Sequence, residues 1–312
     1  MSHPPLARRR QHLNALAASA VLLTLLPSLQ GCSSDGAQPG PEVSDTPALT
    51  ASINQFRDNY NKRIIEIQLT NNTPNPVTVL DAELDSALFS SGISWHTPAD
   101  GTVLPPKQPK SLPAHLPEPR CIDGSIGTGT GSSSGDAPPT VRVSTRPDGH
   151  VSGPLTVEDP FGVLARNNSE MCLDKAVREV AAFQPSPELA VSDDGTTAVV
   201  RVLILPGPAR GRQEVLTIDR IDGTTLIAED TAQPWPSGVQ VSAGGPPVEL
   251  RLAIRPARCD PHAVAEDKIG TLLPFHVRAG GRNGVLKIDT GDVLRHRIYD
   301  FVTAACGPAS RS

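Results

Sequence analysis

The chain has 312 residues, of which 28 are Lys or Arg and 33 are Asp or Glu, so its formal net charge is −5 at pH 7. This balance provides no concentrated basic face, which argues against a broad nucleic-acid footprint, and we expect no nucleic-acid partner. Thirty-two Pro, 26 Gly and only 3% aromatic residues favour many turns, short elements and a core of Val, Ile and Leu, with few long helices.

The first 31 residues have the pattern of an export signal. Three arginines at positions 8–10 form a basic start, and a mostly apolar stretch follows from Leu13 to Leu26. This stretch is shorter than the ~20 apolar residues that a helix needs to span hydrocarbon. It therefore predicts a cleaved signal peptide over residues 1–31 rather than a lasting membrane span.

The signal ends in Leu29-Gln30-Gly31-Cys32. This motif resembles the lipobox of bacterial lipoproteins, although Gln30 stands where a smaller residue is commoner. The resemblance covers residues 1–32 and implies that Cys32 receives a diacylglyceryl group on its sulfur, that cleavage precedes it, and that the new N-terminus is acylated. Acyl chains contribute about 0.8 kcal/mol per buried methylene, so two or three of them hold a protein stably on a membrane. An ordinary secretory signal with an accidental cysteine is the alternative.

The lipobox resemblance also places the mature chain at the extracytoplasmic face of a cell membrane. Residues 32–48 are rich in Ser, Asp, Gly and Pro and have little to bury, which predicts a lipidated, disordered tether. The arginine run distantly resembles a twin-arginine signal, so the export route stays open between the general secretory and twin-arginine systems.

Two segments after the tether, residues 49–184 and 185–312, carry similar landmarks in the same order. Asp81 and Asp219 lie 138 residues apart, and so do the Arg-Cys steps that end in Cys121 and Cys259. Agreement over several landmarks predicts an internal duplication.

Period-two alternation marks the strands of both segments, as in residues 65–69 and 248–252. Such strands bury one face and expose the other, which is typical of antiparallel sheets packed in layers. The sequence therefore predicts an all-β fold of two tandem immunoglobulin-like antiparallel β-sandwich repeats. Trp95 and Trp235 are expected to pack in or beside the two cores.

Four cysteines follow the tether and permit three pairings. The duplication favours Cys121 with Cys172 and Cys259 with Cys306, one disulfide per repeat. Each bridge closes a long loop and stabilises by about 3 to 4 kcal/mol in the chain-entropy model. The alternative is free thiols or thiolate metal ligands.

The segment from Asp260 to Lys268 is the strongest candidate for a specialised site. His262 and Glu266 share one helix face at i and i+4 and are candidate metal ligands. The structural alternative is a short helix with Asp260 as N-cap and Pro261 at the first position. We expect no cofactor unless further ligands join His262, and the candidates for these are Asp260, Asp267, His276 and His296.

Residues 131–135 match the G-x-S-x-G pattern that places a nucleophilic serine at a strand-to-helix turn. Only more Gly and Ser surround Ser133, so the required strand and helix are missing. No catalytic residue is predicted.

The sequence favours a non-enzymatic module that is displayed from a membrane and binds an envelope protein, a cell-wall component or a small ligand. The composition resembles that of cell-envelope lipoproteins rich in Ala, Gly, Pro and Arg, a resemblance that implies no activity. The alternatives are a metal-binding envelope protein that uses His262 and Glu266, and an envelope hydrolase without a linear motif.

Overall fold

The computed structural model describes residues 47–97, 100–121, 137–146, 153–209, 214–267 and 269–307. The lipobox residues Leu29, Gln30, Gly31 and Cys32, nearly all of the predicted tether, and Ser133 lie outside the described residues. Within the described part, no helix has both the length and the apolar character needed to cross a bilayer.

The first repeat comprises eight strands followed by a helix. Its elements are β1 (Leu49–Asn54), β2 (Ile64–Asn71), β3 (Val77–Asp85), β4 (Ile93–His96), β5 (Thr102–Leu104), β6 (Pro109–His115), β7 (Thr140–Arg146), β8 (Leu155–Glu158) and α1 (Val163–Val180).

The second repeat presents the same order and adds one short helix. Its elements are β9 (Ala181–Val191), β10 (Ala198–Pro206), β11 (Val215–Ile221), β12 (Ile227–Glu229), β13 (Val239–Ser242), β14 (Val248–Pro256), α2 (Pro261–Ala265), β15 (Leu272–Ala279), β16 (Arg282–Asp289) and α3 (Gly291–Ala305). The expected boundary between residues 184 and 185 falls inside β9.

Strand pairing repeats as well. In both repeats the first strand pairs with the second, the second with the sixth, the third with the fifth and seventh, and the seventh with the eighth, all antiparallel. The second repeat has two four-stranded sheets, β12-β14-β10-β9 and β13-β11-β15-β16. In the first repeat, a short parallel pairing of β1 with β8 joins the two layers into one sheet. The prediction of an all-β fold with two tandem sandwiches is confirmed.

The alternation in the sequence sets which face of each strand is buried. Six apolar residues at alternate positions of β2 and β10 have 0% exposure, namely Ile65, Ile67, Leu69, Val200, Val202 and Ile204. Trp95 and Trp235 are 8% and 7% exposed, one in each core, as expected. The indole Nε1 of Trp235 donates to the carbonyl of Ala253 at 2.6 Å, which satisfies its polar group.

Both predicted disulfides are present. Cys121 is bonded to Cys172, and Cys259 to Cys306. Cys172 lies inside α1, whereas Cys306 caps the C-terminus of α3. Both helices have a Val-Leu pair near their start, at 163–164 in α1 and 293–294 in α3. Relative to this pair, Cys306 lies four residues farther along than Cys172, a difference of about one helical turn.

Helices α1 and α3 are the two long helices of the described residues, in agreement with the expectation of few long helices. Helix α1 is 18 residues long and takes part in both cores. Val163, Leu164 and Met171 belong to the first core, and Leu173 and Val177 belong to the second. Because one rigid helix is buried in both cores, packing alone couples the two repeats.

Candidate functional site

The loop between β1 and β2, residues 55–63, extends from the first repeat to the second. The amide of Asn61 donates to the carboxylate of Asp289 on β16 at 3.0 Å. The Nζ atom of Lys287, also on β16, lies 5.3 Å from the centroid of the Tyr60 ring. This loop therefore lies at the junction of the repeats.

Buried polar contacts hold the start of this loop on α1. The side-chain amides of Gln55 and Asn167 exchange two hydrogen bonds, at 3.0 and 3.3 Å. Arg166 donates to the Oε1 atom of Gln55 at 2.8 Å, and its guanidinium lies 5.4 Å from the centroid of the Tyr60 ring. A network in which the buried polar groups are paired fixes the local conformation.

The end of the loop is strained. Arg63 has φ = 54°, in the left-handed region that bulky residues rarely adopt. Its guanidinium forms a 2.6 Å ion pair with Asp174 on α1, which holds the backbone in this conformation. Strain of this kind concentrates at functional sites, so it directs attention to the cavity that the loop borders.

That cavity, which we call the junction pocket, has a volume of about 930 Å³. Asp58, Asn61 and Lys62 line it from the first repeat, while α2, α3 and the disulfide Cys259–Cys306 line it from the second. Ligand sites commonly occupy about 300–1,000 Å³ and lie at interfaces between domains. The junction pocket meets both criteria.

Apolar groups of the second repeat form one wall of the junction pocket. They are Pro261 and Val264 of α2, Leu272 of β15, Val302 of α3 and the disulfide sulfurs. The helix α2 has no counterpart among the described residues of the first repeat. The wall is therefore particular to the second repeat.

Asp267 organises the polar part of the pocket. Its carboxylate accepts hydrogen bonds from the Thr225 hydroxyl at 2.6 Å, the Gly270 backbone N–H at 2.8 Å and the Tyr299 hydroxyl at 2.7 Å. Burial is the main cause that raises the pKa of Tyr299 well above its ordinary value, and the hydrogen bond to Asp267 raises it further. Tyr299 therefore stays a neutral donor at physiological pH and fixes α3 against the segment after α2.

Arg295 also lines the pocket but is committed to two carboxylates, those of Asp289 at 2.9 Å and Asp292 at 3.1 Å. Lys62 is exposed, and it has no hydrogen-bond or ion-pair partner among the residues that the structure describes. The pocket thus combines an apolar wall, a set of internally paired polar groups and one unpaired ammonium.

The structural alternative for the Asp260 segment is confirmed. Asp260 is the N-cap of α2, where its carboxylate accepts the backbone N–H of His262 at 3.0 Å, and Pro261 is the first helical residue. His262 lies exposed on the helix, and Glu266 is its exposed C-cap residue.

The other candidate metal ligands have partners of their own. His276 contacts Asp222 at 2.5 Å and Arg220 at 2.9 Å, and the Nδ1 atom of His296 lies 2.6 Å from the carbonyl of Asp292. Within the described ranges, no three His, Cys, Asp or Glu side chains are grouped so as to hold a metal ion. Metal binding through His262 and Glu266 stays a hypothesis.

Two residues of the junction pocket, Lys62 and Tyr299, were not predicted from the sequence. Leu294, Ile298 and Phe301 are spaced at i, i+4 and i+7, which is the helical period and would have predicted the helix that carries Tyr299. No linear signal pointed to Lys62, because it meets the pocket only through the packing of one repeat on the other.

No family model and no curated protein matches the chain. Three solved structures illustrate the structural matches. The B domain of a biofilm-associated protein is 8% identical, with 78% of this chain and 86% of that chain covered and a TM-score of 0.20. Red sea bream transglutaminase is 12% identical, with 79% and 32% covered and a TM-score of 0.23. An exo-chitosanase of Amycolatopsis orientalis is 12% identical, with 77% and 26% covered and a TM-score of 0.20.

At these TM-scores the three likenesses carry no argument about function. The chain spans about a third of the transglutaminase and a quarter of the chitosanase. The geometry of the junction pocket is therefore the basis for a functional proposal.

Proposed function

We propose that the chain is a membrane-anchored cell-envelope lipoprotein that acts as a non-catalytic binding module, with its ligand in the junction pocket. The ligand is an envelope component, either a small molecule or a segment of a protein or cell-wall polymer. The observation that carries this proposal is the pocket itself, which is of ligand size, has an apolar wall and is built from both repeats.

The charges around the pocket support binding rather than proton transfer. The carboxylate of Asp267 is saturated by three donors, and Arg295 is held by two aspartates. The two cysteines that line the pocket are joined in a disulfide and are not nucleophiles. Groups committed in this way orient a ligand without reacting with it.

The two disulfides indicate an extracytoplasmic location, because such bonds persist in oxidising compartments. We further propose that a lipid anchor at Cys32 holds the protein at the membrane surface, on the basis of the lipobox resemblance. Membrane fractionation tests it. A Cys32→Ala variant is expected to leave the membrane fraction, whereas the neighbouring Ser33→Ala control stays in it, and equal partitioning of both variants would remove the anchor from the proposal.

Pocket binding is tested with N-phenyl-1-naphthylamine, an uncharged apolar dye that fluoresces when it leaves water. Ala265 is an exposed helix residue that lines the pocket, and Ala304 is an exposed helix residue that does not. Residues Thr46–Ser312, a compact unit with both cores and both disulfides, are expected to bind the dye. Ala265→Trp places an indole in the pocket and is expected to weaken binding, while Ala304→Trp is expected to retain it. Equal binding by both variants would place the dye elsewhere.

A further inference from the structure

The charged groups that line the junction pocket are balanced in number but not in availability. Two are acidic, Asp58 and Asp267, and two are basic, Lys62 and Arg295. Asp267 accepts three hydrogen bonds and Arg295 pairs with two carboxylates. Asp58 also interacts within the protein. Lys62 is the exception among the described lining residues, and its ammonium is free to receive an anion from a ligand.

The apolar wall lies on the other repeat. Val264, Leu272 and Val302 belong to elements of the second repeat, while Lys62 belongs to the loop of the first. A ligand that uses both sides therefore needs two chemically different parts. A cationic ligand gains little, because the carboxylates near the pocket already have partners.

We infer that the ligand of the junction pocket is a small amphipathic carboxylate, with an acyl or aryl body against the apolar wall and its carboxylate at Lys62. A single free ammonium matches a singly charged carboxylate better than a phosphate monoester, which carries about −1.5 to −2 charge at pH 7. This inference rests on the proposed function and adds the chemical class of the ligand. It also gives the β1–β2 loop a role, since the strained Arg63 holds the neighbouring Lys62 at the pocket.

Photoaffinity labelling of the full-length protein in cell-envelope extracts tests the charge preference. The probes are a diazirine-bearing dodecanoic acid and its methyl ester, in which one added methyl group removes the charge of the head group. The protein is isolated after irradiation, and mass spectrometry measures labelling on peptides that contain α2 and α3. The measured quantity is the ratio of acid labelling to ester labelling in each variant. Because the two probes partition into lipid to the same extent whichever variant is present, this partitioning does not affect the comparison between variants.

Lys62→Gln removes the free ammonium. Lys110→Gln is the matched control, because Lys110 is an exposed lysine of the same repeat that does not line the pocket. An exposed ion pair contributes about 0.65 kcal/mol, or about three-fold, so the acid-to-ester ratio is expected to fall about three-fold in Lys62→Gln and to stay constant in Lys110→Gln.

Each contrary outcome has its own meaning. An unchanged ratio in Lys62→Gln, with both probes still labelling α2 and α3, overturns the ligand class and leaves pocket binding intact. An equal loss of acid and ester labelling in Lys62→Gln also overturns the ligand class, because it assigns Lys62 a structural role. If neither probe labels α2 or α3 in the parent protein, the pocket does not bind amphipathic molecules, and the proposed function fails with the inference.

Discussion

Truncation of Leu173 on α1 tests whether the helix of the first repeat belongs to the core of the second. The side chain of Leu173 is 3% exposed and packs in the second core. It lies against Gly284 of β16, where an added Cβ would come within 3.1 Å of its Cδ2 atom. Leu173→Ala therefore leaves a cavity inside the second sandwich, although the residue lies N-terminal to that sandwich in the sequence.

Buried Leu→Ala substitutions cost about 2–5 kcal/mol, since they lose the transfer free energy of the side chain and leave a cavity. We expect Leu173→Ala to lower the free energy of unfolding by about 3 kcal/mol. With a urea m-value of about 3 kcal/mol/M, the midpoint falls by about 1 M. The control Glu179→Ala, on the exposed side of the same helix, is expected to shift the midpoint by less than about 0.2 M.

The two tryptophans of the chain allow each sandwich to be followed separately. Trp95 is in the first core and Trp235 in the second, so Trp235→Phe and Trp95→Phe backgrounds give one fluorescent reporter each. Urea titrations of residues 46–312 are run in both backgrounds, each against its own parent. Leu164→Ala serves as the counterpart, because Leu164 is equally buried but packs in the first core.

Leu173→Ala is expected to move the transition that Trp235 reports, and Leu164→Ala the transition that Trp95 reports. Because α1 packs in both cores, part of each loss is also expected to reach the other transition, so Leu173→Ala shifts the Trp235 transition at least as far as the Trp95 transition. If Leu173→Ala shifts the Trp95 transition and leaves the Trp235 transition in place, α1 does not pack in the second core and the coupling of the repeats is wrong.

Three further predictions concern single interactions and are checked by urea unfolding of residues 46–312. Removal of the second disulfide, by Cys259→Ser with Cys306→Ser, is expected to cost about 4 kcal/mol, because its 47-residue span leaves a long loop open in the unfolded chain; a loss below 1 kcal/mol would contradict this. Tyr299→Phe loses the bond to Asp267 and is expected to cost about 1.5 kcal/mol. Because folding raises the pKa of Tyr299, the free energy of unfolding of the parent protein falls as pH rises above about 10, and that of Tyr299→Phe is expected to fall less. Parallel plots of stability against pH for the two proteins would refute the role of this hydroxyl. Burial raises the pKa of Glu66, so the parent protein loses stability as this carboxyl ionises above pH 4. Glu66→Gln cannot ionise, and its stability relative to the parent is therefore expected to grow between pH 4 and 7. A constant difference in stability between the two proteins would argue against the raised pKa.

The layers of the fold could be predicted because they depend on local patterns. The alternation of Ile65, Ile67 and Leu69 marks a strand with one buried face, and the same pattern recurs in β10. The duplication, marked by Arg-Cys steps 138 residues apart and by a later cysteine in each repeat, favoured the disulfide pairing that the structure has. In each case the signal lies within a few residues or in the comparison of one repeat with the other.

The helices were harder to predict than the strands, and in α1 the apolar stripe is interrupted. Asn167 occupies a buried position on α1, where it pairs with Gln55 instead of packing against apolar neighbours. A polar residue on the inward face weakens the helical period, and the cysteine next to Met171 was interpreted only as a disulfide partner. The regular spacing in α3 was present in the sequence but was outweighed by the strand signals around it.

The junction pocket could not be predicted from the sequence at all. Asn61 and Asp289 are 228 residues apart, and their contact depends on how the loop of one repeat reaches β16 of the other. The segment that drew attention, around His262, does supply one wall of the pocket through Pro261 and Val264. That segment is a capped helix followed by Asp267, and the other charged residues of the pocket come from the loop and from α3.

Mass spectrometry of the intact protein and of its N-terminal peptide, isolated from the native membrane, tests the central claim most directly. We predict a mature chain that begins at Cys32 and carries a diacylglyceryl group on the cysteine sulfur and an acyl group on the new N-terminus. A mature chain that begins at another residue, or that carries an unmodified Cys32, would contradict it.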